Sequence, residues 1–237
     1  TCTGTYTNGD YVVNCHDGVA HGELDIYGIL GMSCNGAFDT IAQTLNSTKW
    51  QKLAEDFGYN QSDRSQVDFP YKKSHFDIAS DDSVWSRMQL AIGQGTTTVT
   101  PLLNLMMYAA IANDGVMMTP YLVDHYLDAD GNVVEQTKPK ALRSVCTKAE
   151  AELMDEFLTY VITNGTAAAG GSQYARVSGK TGSAQYDSTK NYHAWFCGYG
   201  TNDVSEIAVC VMIEKGGAGG IVAAPVAGQI FDYYFSR

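Results

Sequence analysis

The chain has 237 residues, of which 45% are hydrophobic, so one large domain or two small ones with a sizeable core are expected. Its 26 acidic residues outnumber its 15 basic ones, and the net charge of -11 argues against nucleic acid or an anionic membrane as the main partner. The apolar runs are far shorter than the roughly 20 residues that cross a bilayer, and no signal peptide is visible, so the protein is soluble or its anchor lies outside this sequence.

Apolar residues at helical spacing predict six helices, over residues 24–30, 35–45, 47–57, 101–112, 148–162 and 225–235. Ser47 is expected to cap the third helix, and Thr100 the fourth, which has Pro101 at its first position. Thr147 and Glu150 have the spacing of a capping box, so they are expected to open the fifth helix.

The predicted strands are antiparallel. Residues 1–14 are typical of a hairpin that turns at Asn8-Gly9. Further strands are predicted over residues 121–127, 133–136, 177–186, 194–199 and 207–214. Residues 61–82 are polar and are expected to form a surface loop. Because no repeat or linker divides the chain, residues 1–237 are interpreted as one domain of α/β class (α+β type), with helices packed on an antiparallel sheet.

Four residues inside one predicted strand have the side chains of an anion-binding site: Lys180, Thr181, Gly182 and Ser183. The lysine supplies a positive charge for a carboxylate, and the two hydroxyls add directional hydrogen bonds. The glycine allows the backbone to approach a ligand closely. A free backbone N–H on an edge strand is suited to stabilise an oxyanion.

A nucleotide-binding phosphate loop is the competing interpretation of this segment. That motif requires a glycine five residues before Gly179, where this chain has Tyr174, and it requires a helix next. Residues 183–186 are instead expected to be extended. The phosphate-loop interpretation therefore fails.

A second polar segment, Ser33-Cys34-Asn35, falls between two predicted helices. A serine in this setting is usually only a helix cap. A Ser-x-Asn at a helix turn that is followed by Lys-Thr-Gly on a strand is, however, the pattern of active-site-serine transpeptidases and β-lactamases.

Two cysteines, Cys2 and Cys15, flank the predicted hairpin turn and could form a disulfide in an oxidising compartment. The alternative is a metal site that also uses His16 and His21. Their spacing matches no common zinc pattern, so we favour an account without a metal.

On these two motifs the chain resembles the transpeptidase domain of penicillin-binding proteins, most closely the class B kind. Five further segments resemble that family, at residues 91–95, 99–102, 110–115, 193–199 and 216–225. The resemblance covers nearly the whole chain. It implies the fold of serine β-lactamases and transpeptidases, and a site that needs no cofactor and no metal.

The resemblance also implies the role of each motif residue in attack on a D-Ala-D-Ala stem peptide through an acyl-enzyme. Ser33 would pass a proton toward the leaving group, and Asn35 would bind the substrate amide. Lys180 would keep the local potential positive. Thr181 and Ser183 would bind the terminal carboxylate, and the Ser183 N–H would be one oxyanion donor.

One motif of the family is missing, because the chain contains no Ser-x-x-Lys. Only 32 residues precede Ser33, so we expect the nucleophilic serine, its helix and the first sheet strands to lie outside this chain. The chain alone is then expected to be inactive. Cys34, at the variable position of its motif, is expected to be filler and not a replacement nucleophile.

The resemblance favours a peptidoglycan D,D-transpeptidase that binds β-lactams. A non-catalytic β-lactam-binding sensor and a β-lactamase-like module of the same fold are the alternatives. The implied partners are peptidoglycan stem peptides, β-lactam antibiotics and other cell-wall synthesis proteins. The implied location is the extracytoplasmic face of the cell membrane, with an anchor outside this chain.

Overall fold

The computed structural model describes residues 1–61, 67–79, 81–189 and 191–237. Within these residues the helices are α1 (Ile26–Gly31), α2 (Asn35–Thr44), α3 (Ser47–Asp56), α4 (Val84–Ala91), α5 (Pro101–Ala112), α6 (Lys148–Asn164) and α7 (Gly219–Phe235). The strands are β1 (Thr5–Asn8), β2 (Tyr11–Asn14), β3 (Val116–Met118), β4 (His125–Leu127), β5 (Val133–Gln136), β6 (Ala141–Ser144), β7 (Arg176–Gln185), β8 (Tyr192–Thr201) and β9 (Glu206–Ile213).

The main sheet consists of β7, β8 and β9 in that order, and both pairings are antiparallel. Lys180 lies opposite Cys197, and Gly182 lies opposite Trp195. The other strands form two-stranded antiparallel ladders, β1 with β2, β3 with β6 and β4 with β5. The predicted antiparallel α+β architecture is therefore confirmed, with the strands divided between one sheet and three short ladders in the described residues. Among the described residues strand β7 pairs with β8 alone, so it is an edge strand there.

The main core lies between this sheet and α7. The rings of Phe196 on β8 and Phe231 on α7 meet edge to face at 6.2 Å, and both side chains are fully buried. Small residues let α7 approach closely: a Cβ added at Gly228 would lie 2.7 Å from the carbonyl oxygen of Ala169. Val161 on α6 completes this core, so α6 and α7 hold the sheet in place.

Several predicted ends and caps are confirmed. Thr100 caps α5 with Pro101 at the first position, and the capping box of Thr147 and Glu150 opens α6. The N-terminal hairpin turns after Asn8 as predicted. These signals are local, since each depends on side chains within one turn of the backbone they satisfy.

Two predicted helix starts are wrong. Asn46, not Ser47, caps α3, because its side chain accepts a hydrogen bond from the Lys49 N–H at 3.0 Å. Helix α7 begins at Gly219, six residues before the predicted start, and Pro225 lies inside it. Pro225 is the seventh residue of this helix, past the first turn, so the helix lacks one interior N–H hydrogen bond at that point.

The prediction of a surface loop over residues 61–82 is also wrong in part. Residues 62–66 and 80 lie outside the described residues. Phe76 and Ile78, however, are buried against Leu90 of α4, a helix that the sequence did not indicate. Residues distant in sequence cover these two side chains, so their burial depends on tertiary contacts. None of the helices in the described residues is long and apolar enough to cross a bilayer.

Candidate functional site

The two sequence motifs meet in space. Lys180 Nζ donates a hydrogen bond to Ser33 Oγ at 3.0 Å, although 147 positions separate the two residues, and it also donates to the Thr181 carbonyl oxygen at 2.9 Å. The structure thus brings Ser33 and Lys180 into direct contact.

Ser33 owes its position to a tight turn between α1 and α2. Its φ of 52° lies in the left-handed region, which few residues other than glycine adopt. The turn is held by hydrogen bonds from the Ser33 N–H to Leu30 O at 3.1 Å and from the Cys34 N–H to Ile29 O at 3.0 Å. Such a conformation persists only where the surrounding structure holds it, and it directs the hydroxyl toward Lys180.

Contacts from the end of α6 join the turn to strand β7. The Thr166 N–H donates to Gly31 O at 3.0 Å, and the hydroxyls of Thr166 and Thr181 lie 3.1 Å apart. A Cβ added at Gly165 would lie 2.4 Å from Gly31 O, so this approach requires glycine. The Ser33 turn and the Thr181 hydroxyl are thus held in a defined relation.

The start of α7 fixes the other end of the motif. The Gly219 N–H donates to Ser183 Oγ at 3.1 Å. A Cβ added at Gly219 would lie 2.3 Å from Gly182 O and 2.4 Å from Trp195 O, so α7 begins in direct backbone contact with the sheet. The Ser183 hydroxyl therefore helps to hold the start of α7. Because it is the acceptor in that bond, its own O–H remains free to donate.

Asn35 is held by the N-terminal hairpin. Its Nδ2 donates to the Asn14 carbonyl oxygen at 2.8 Å. The neighbouring Cys34 side chain is only 1% exposed and faces Cys15. The disulfide considered for Cys2 and Cys15 is not formed, because their sulfurs lie 3.6 Å apart and both thiols are free.

Lys180 is the one cation of the two motifs, and its surroundings disfavour charge. Burial lowers the pKa of its ammonium group to about 8. Within the described residues no carboxylate lies at ion-pair distance from it. A half-buried ammonium with no anionic partner among the described residues is suited to receive the carboxylate of a ligand.

The histidines contribute nothing to this group. His193 Nδ1 accepts a hydrogen bond from the Lys215 N–H at 3.1 Å, and its ring stacks on Tyr186. Sequence reasoning missed Thr166 and Gly219 as positioning residues, because neither carries a local signal and both act through contacts between distant segments.

The comparisons with known proteins agree with this geometry. The family model described as "Penicillin binding protein transpeptidase domain" matches residues 1–232. Among curated relatives, the peptidoglycan D,D-transpeptidase PbpA of Mycolicibacterium smegmatis is 29% identical over 203 residues, which are 82% of this chain and 40% of that protein. The peptidoglycan D,D-transpeptidase MrdA of Acinetobacter baumannii is 28% identical over 237 residues, which are 90% of this chain and 35% of that protein.

Among solved structures, the D,D-transpeptidase domain of a peptidoglycan glycosyltransferase from Eggerthella lenta has a TM-score of 0.86 at 27% identity, and the match covers 98% of this chain and 58% of that one. The chain spans about two fifths or less of the length of these two curated relatives. The family match and the meeting of Ser33 with Lys180 lead to one conclusion. The chain belongs to the penicillin-binding protein transpeptidase domain family.

Proposed function

We propose that this chain forms the substrate-binding part of a serine D,D-transpeptidase active site, which cross-links peptidoglycan stem peptides and is acylated by β-lactams. The hydrogen bond from Lys180 to Ser33 carries the proposal, because it assembles both motifs into one polar site. The relatives' names as D,D-transpeptidases support it.

The nucleophile is a serine outside this chain, since no Ser-x-x-Lys occurs in the sequence. That serine would attack the carbonyl carbon of the penultimate D-alanine and form an acyl-enzyme. The leaving D-alanine takes up a proton, and a hydrogen-bonded pair such as Ser33 and Lys180 is a suitable route for it. An amine from a second stem peptide would then displace the enzyme serine.

The substrate would lie along the free edge of β7. Its terminal carboxylate would receive hydrogen bonds from the hydroxyls of Thr181 and Ser183 and would be attracted by Lys180. Asn35 would bind the peptide amide, and the N–H of Ser183 would be one oxyanion donor. Gly182 would let the peptide backbone approach the strand.

The proposed cellular location follows from the substrate. Peptidoglycan is cross-linked outside the cytoplasmic membrane, so we place the site on the extracytoplasmic face, with the anchor and the partners among other cell-wall synthesis proteins lying outside this chain.

A fluorescent penicillin tests the proposal. In the protein expressed from its complete gene, we expect a covalent adduct on a serine outside residues 1–237, and cross-linking of a pentapeptide donor to an amine acceptor. The isolated chain of 237 residues should remain unlabelled. An adduct without cross-linking activity would indicate a sensor. An adduct that hydrolyses rapidly would indicate a β-lactamase, and no adduct at all would refute the proposal.

A further inference from the structure

Four side chains with soft or nitrogen ligand atoms meet beside the Ser33 turn: Cys2, Cys15, His21 and Cys34. Their ligand atoms all lie within 4.8 Å of one another. Cys2 Sγ is 3.6 Å from Cys15 Sγ and 3.4 Å from His21 Nδ1, and Cys15 Sγ is 3.9 Å from Cys34 Sγ. The sequence disfavoured a metal here because the spacing of the cysteines and histidines matches no common zinc pattern, and nothing in it indicated that Cys34 joins the group.

Three of these separations fit ligands around one tetrahedral ion, and the other three are no longer than 4.8 Å. Zinc binds thiolate sulfur at about 2.3 Å and imidazole nitrogen at about 2.0–2.1 Å, so tetrahedral angles set sulfurs about 3.8 Å apart and sulfur and nitrogen about 3.6 Å apart. The observed distances of 3.6 and 3.9 Å between sulfurs, and of 3.4 Å between sulfur and nitrogen, match both values.

The backbone holds the ligands in place through contacts of its own. Cys2 pairs with Gly22, with hydrogen bonds of 2.6 and 3.0 Å, and this pairing sets Cys2 beside His21. The Cys15 N–H donates to Gly4 O at 2.9 Å. A disulfide would use two of the three thiols and leave the third unpaired, whereas one tetrahedral ion uses all of them together with the imidazole.

We propose that Cys2, Cys15, His21 and Cys34 bind one structural zinc ion. Three cysteines and one histidine are an established ligand set for structural zinc, and four protein ligands leave no open position for chemistry. The three thiols would lose their protons to solvent as the metal binds. A cavity of about 300 Å³, lined by the three cysteines among others, gives the ion a path to the site.

The position of Cys34 gives this ion a function. Cys34 lies between Ser33 and Asn35, and it is the N-cap residue of α2, where its side chain makes no capping hydrogen bond. The ion would fasten this turn to the N-terminal hairpin, whose Asn14 already accepts a hydrogen bond from Asn35. The zinc would thereby keep the Ser-x-Asn motif rigid without contacting the substrate.

Metal content is the direct test. The protein would be expressed from its complete gene in zinc-supplemented medium, purified with a reductant and without chelators, and analysed by plasma mass spectrometry. We expect about one zinc per chain, and a loss of at least about tenfold in Cys34→Ser and in His21→Ala. The matched control Cys146→Ser, a cysteine outside the cluster, should keep its zinc. Equal zinc in Cys34→Ser and Cys146→Ser, or iron in place of zinc, would overturn the proposal.

Cobalt incorporation keeps the test decisive if the Cys34 variant fails to fold. Protein produced in cobalt-supplemented medium should show the visible bands of tetrahedral Co²⁺ and thiolate-to-cobalt charge transfer. Their absence in folded wild-type protein, or a disulfide between Cys2 and Cys15 in a non-reducing peptide map, would refute the site. Neither readout needs enzymatic activity, so this proposal and the transpeptidase proposal can fail separately.

Discussion

Lys180 Nζ lies 3.0 Å from Ser33 Oγ, and this hydrogen bond joins an edge strand to a turn between two helices. The pair is supported from both sides. Thr166 links the backbone of the turn to the Thr181 hydroxyl, and Gly219 bonds the Ser183 hydroxyl. The site is therefore held together by a few contacts, each of which a single substitution can remove.

Thr181→Val tests the carboxylate-binding hydroxyl. Valine keeps the shape of threonine and removes its hydroxyl, which ends the contact with Thr166 and the proposed hydrogen bond to the ligand carboxylate, the latter contributing about 1.5–3 kcal/mol. We expect the rate of β-lactam acylation in the protein from its complete gene to fall about 10- to 100-fold, with little change in melting temperature. The control Thr201→Val, at the far end of β8, should leave the rate unchanged. Equal rates for both variants would refute the role of Thr181.

The fall in the rate of β-lactam acylation at alkaline pH tests the charge of Lys180. Because burial lowers its pKa to about 8, the ammonium is lost as pH rises through about 8, and binding of a ligand carboxylate should weaken there. Lys180→Arg keeps its charge throughout this range, so the pH at which the acylation rate falls should be higher in the variant. If the acylation rate falls at the same pH in both proteins, the titrating group is not Lys180.

The same lowered pKa has a consequence for stability. Between about pH 8 and 10.5 the unfolded chain holds a proton at Lys180 that the folded chain has lost, so this residue makes the free energy of unfolding rise with pH in that window. This rise should be absent in Lys180→Met, which does not titrate, and denaturant unfolding across the window measures the difference.

Asp39 should destabilise the fold as pH rises. Its side chain is fully buried, and neither carboxylate oxygen has a hydrogen-bond partner in the described part of the chain. Burial raises its pKa to about 7, so between about pH 4 and 7 the folded chain holds a proton that the unfolded chain lacks. The wild type should therefore lose up to about 4 kcal/mol of unfolding free energy across this window relative to Asp39→Asn. A pH-independent difference would contradict this.

Asp155 should be a stabilising acceptor. Its carboxylate accepts hydrogen bonds of 2.7 Å from Arg176, Ser178 and Tyr199, and the latter two residues are buried. Asp155→Ala removes the carboxylate acceptor of the buried Tyr199 hydroxyl and takes one acceptor from Ser178 and from Arg176, which keep Thr159, so it should lower the free energy of unfolding by about 2–3 kcal/mol. Glu152→Ala, at an exposed position of the same helix, should change it by less than about 0.5 kcal/mol. Equal effects would show that the network is unimportant.

Much of the fold was predictable because its signals are local. The capping box that begins α6 and the Asn8 turn of the hairpin each depend on neighbouring residues. The burial of Phe76 was not predictable, since its cover comes from residues distant in sequence. The start of α7 at Gly219 was missed for a related reason: backbone contact with the sheet selects it, and no side-chain pattern records that contact.

The site shows the same division. The six candidate site residues in the two motifs, which exclude Cys34, were identified from their order and setting, and their roles remain predictions. Thr166 was missed, and Cys34 was expected to be filler although its sulfur lies 3.9 Å from that of Cys15. The sequence around a cysteine does not indicate which distant residues lie near it in space. The cluster of Cys2, Cys15, His21 and Cys34 is therefore apparent only in the folded chain.

The rate of β-lactam acylation in Lys180→Met tests the central claim most directly. In the protein from its complete gene, with folding checked by melting temperature, we expect the second-order rate constant to fall by about 100-fold or more, because both the charge and the proton route through Ser33 are lost. Lys148→Met, which removes an exposed lysine paired with Asp114, should react like the wild type. A Lys180→Met rate within about threefold of the Lys148→Met rate would contradict the account.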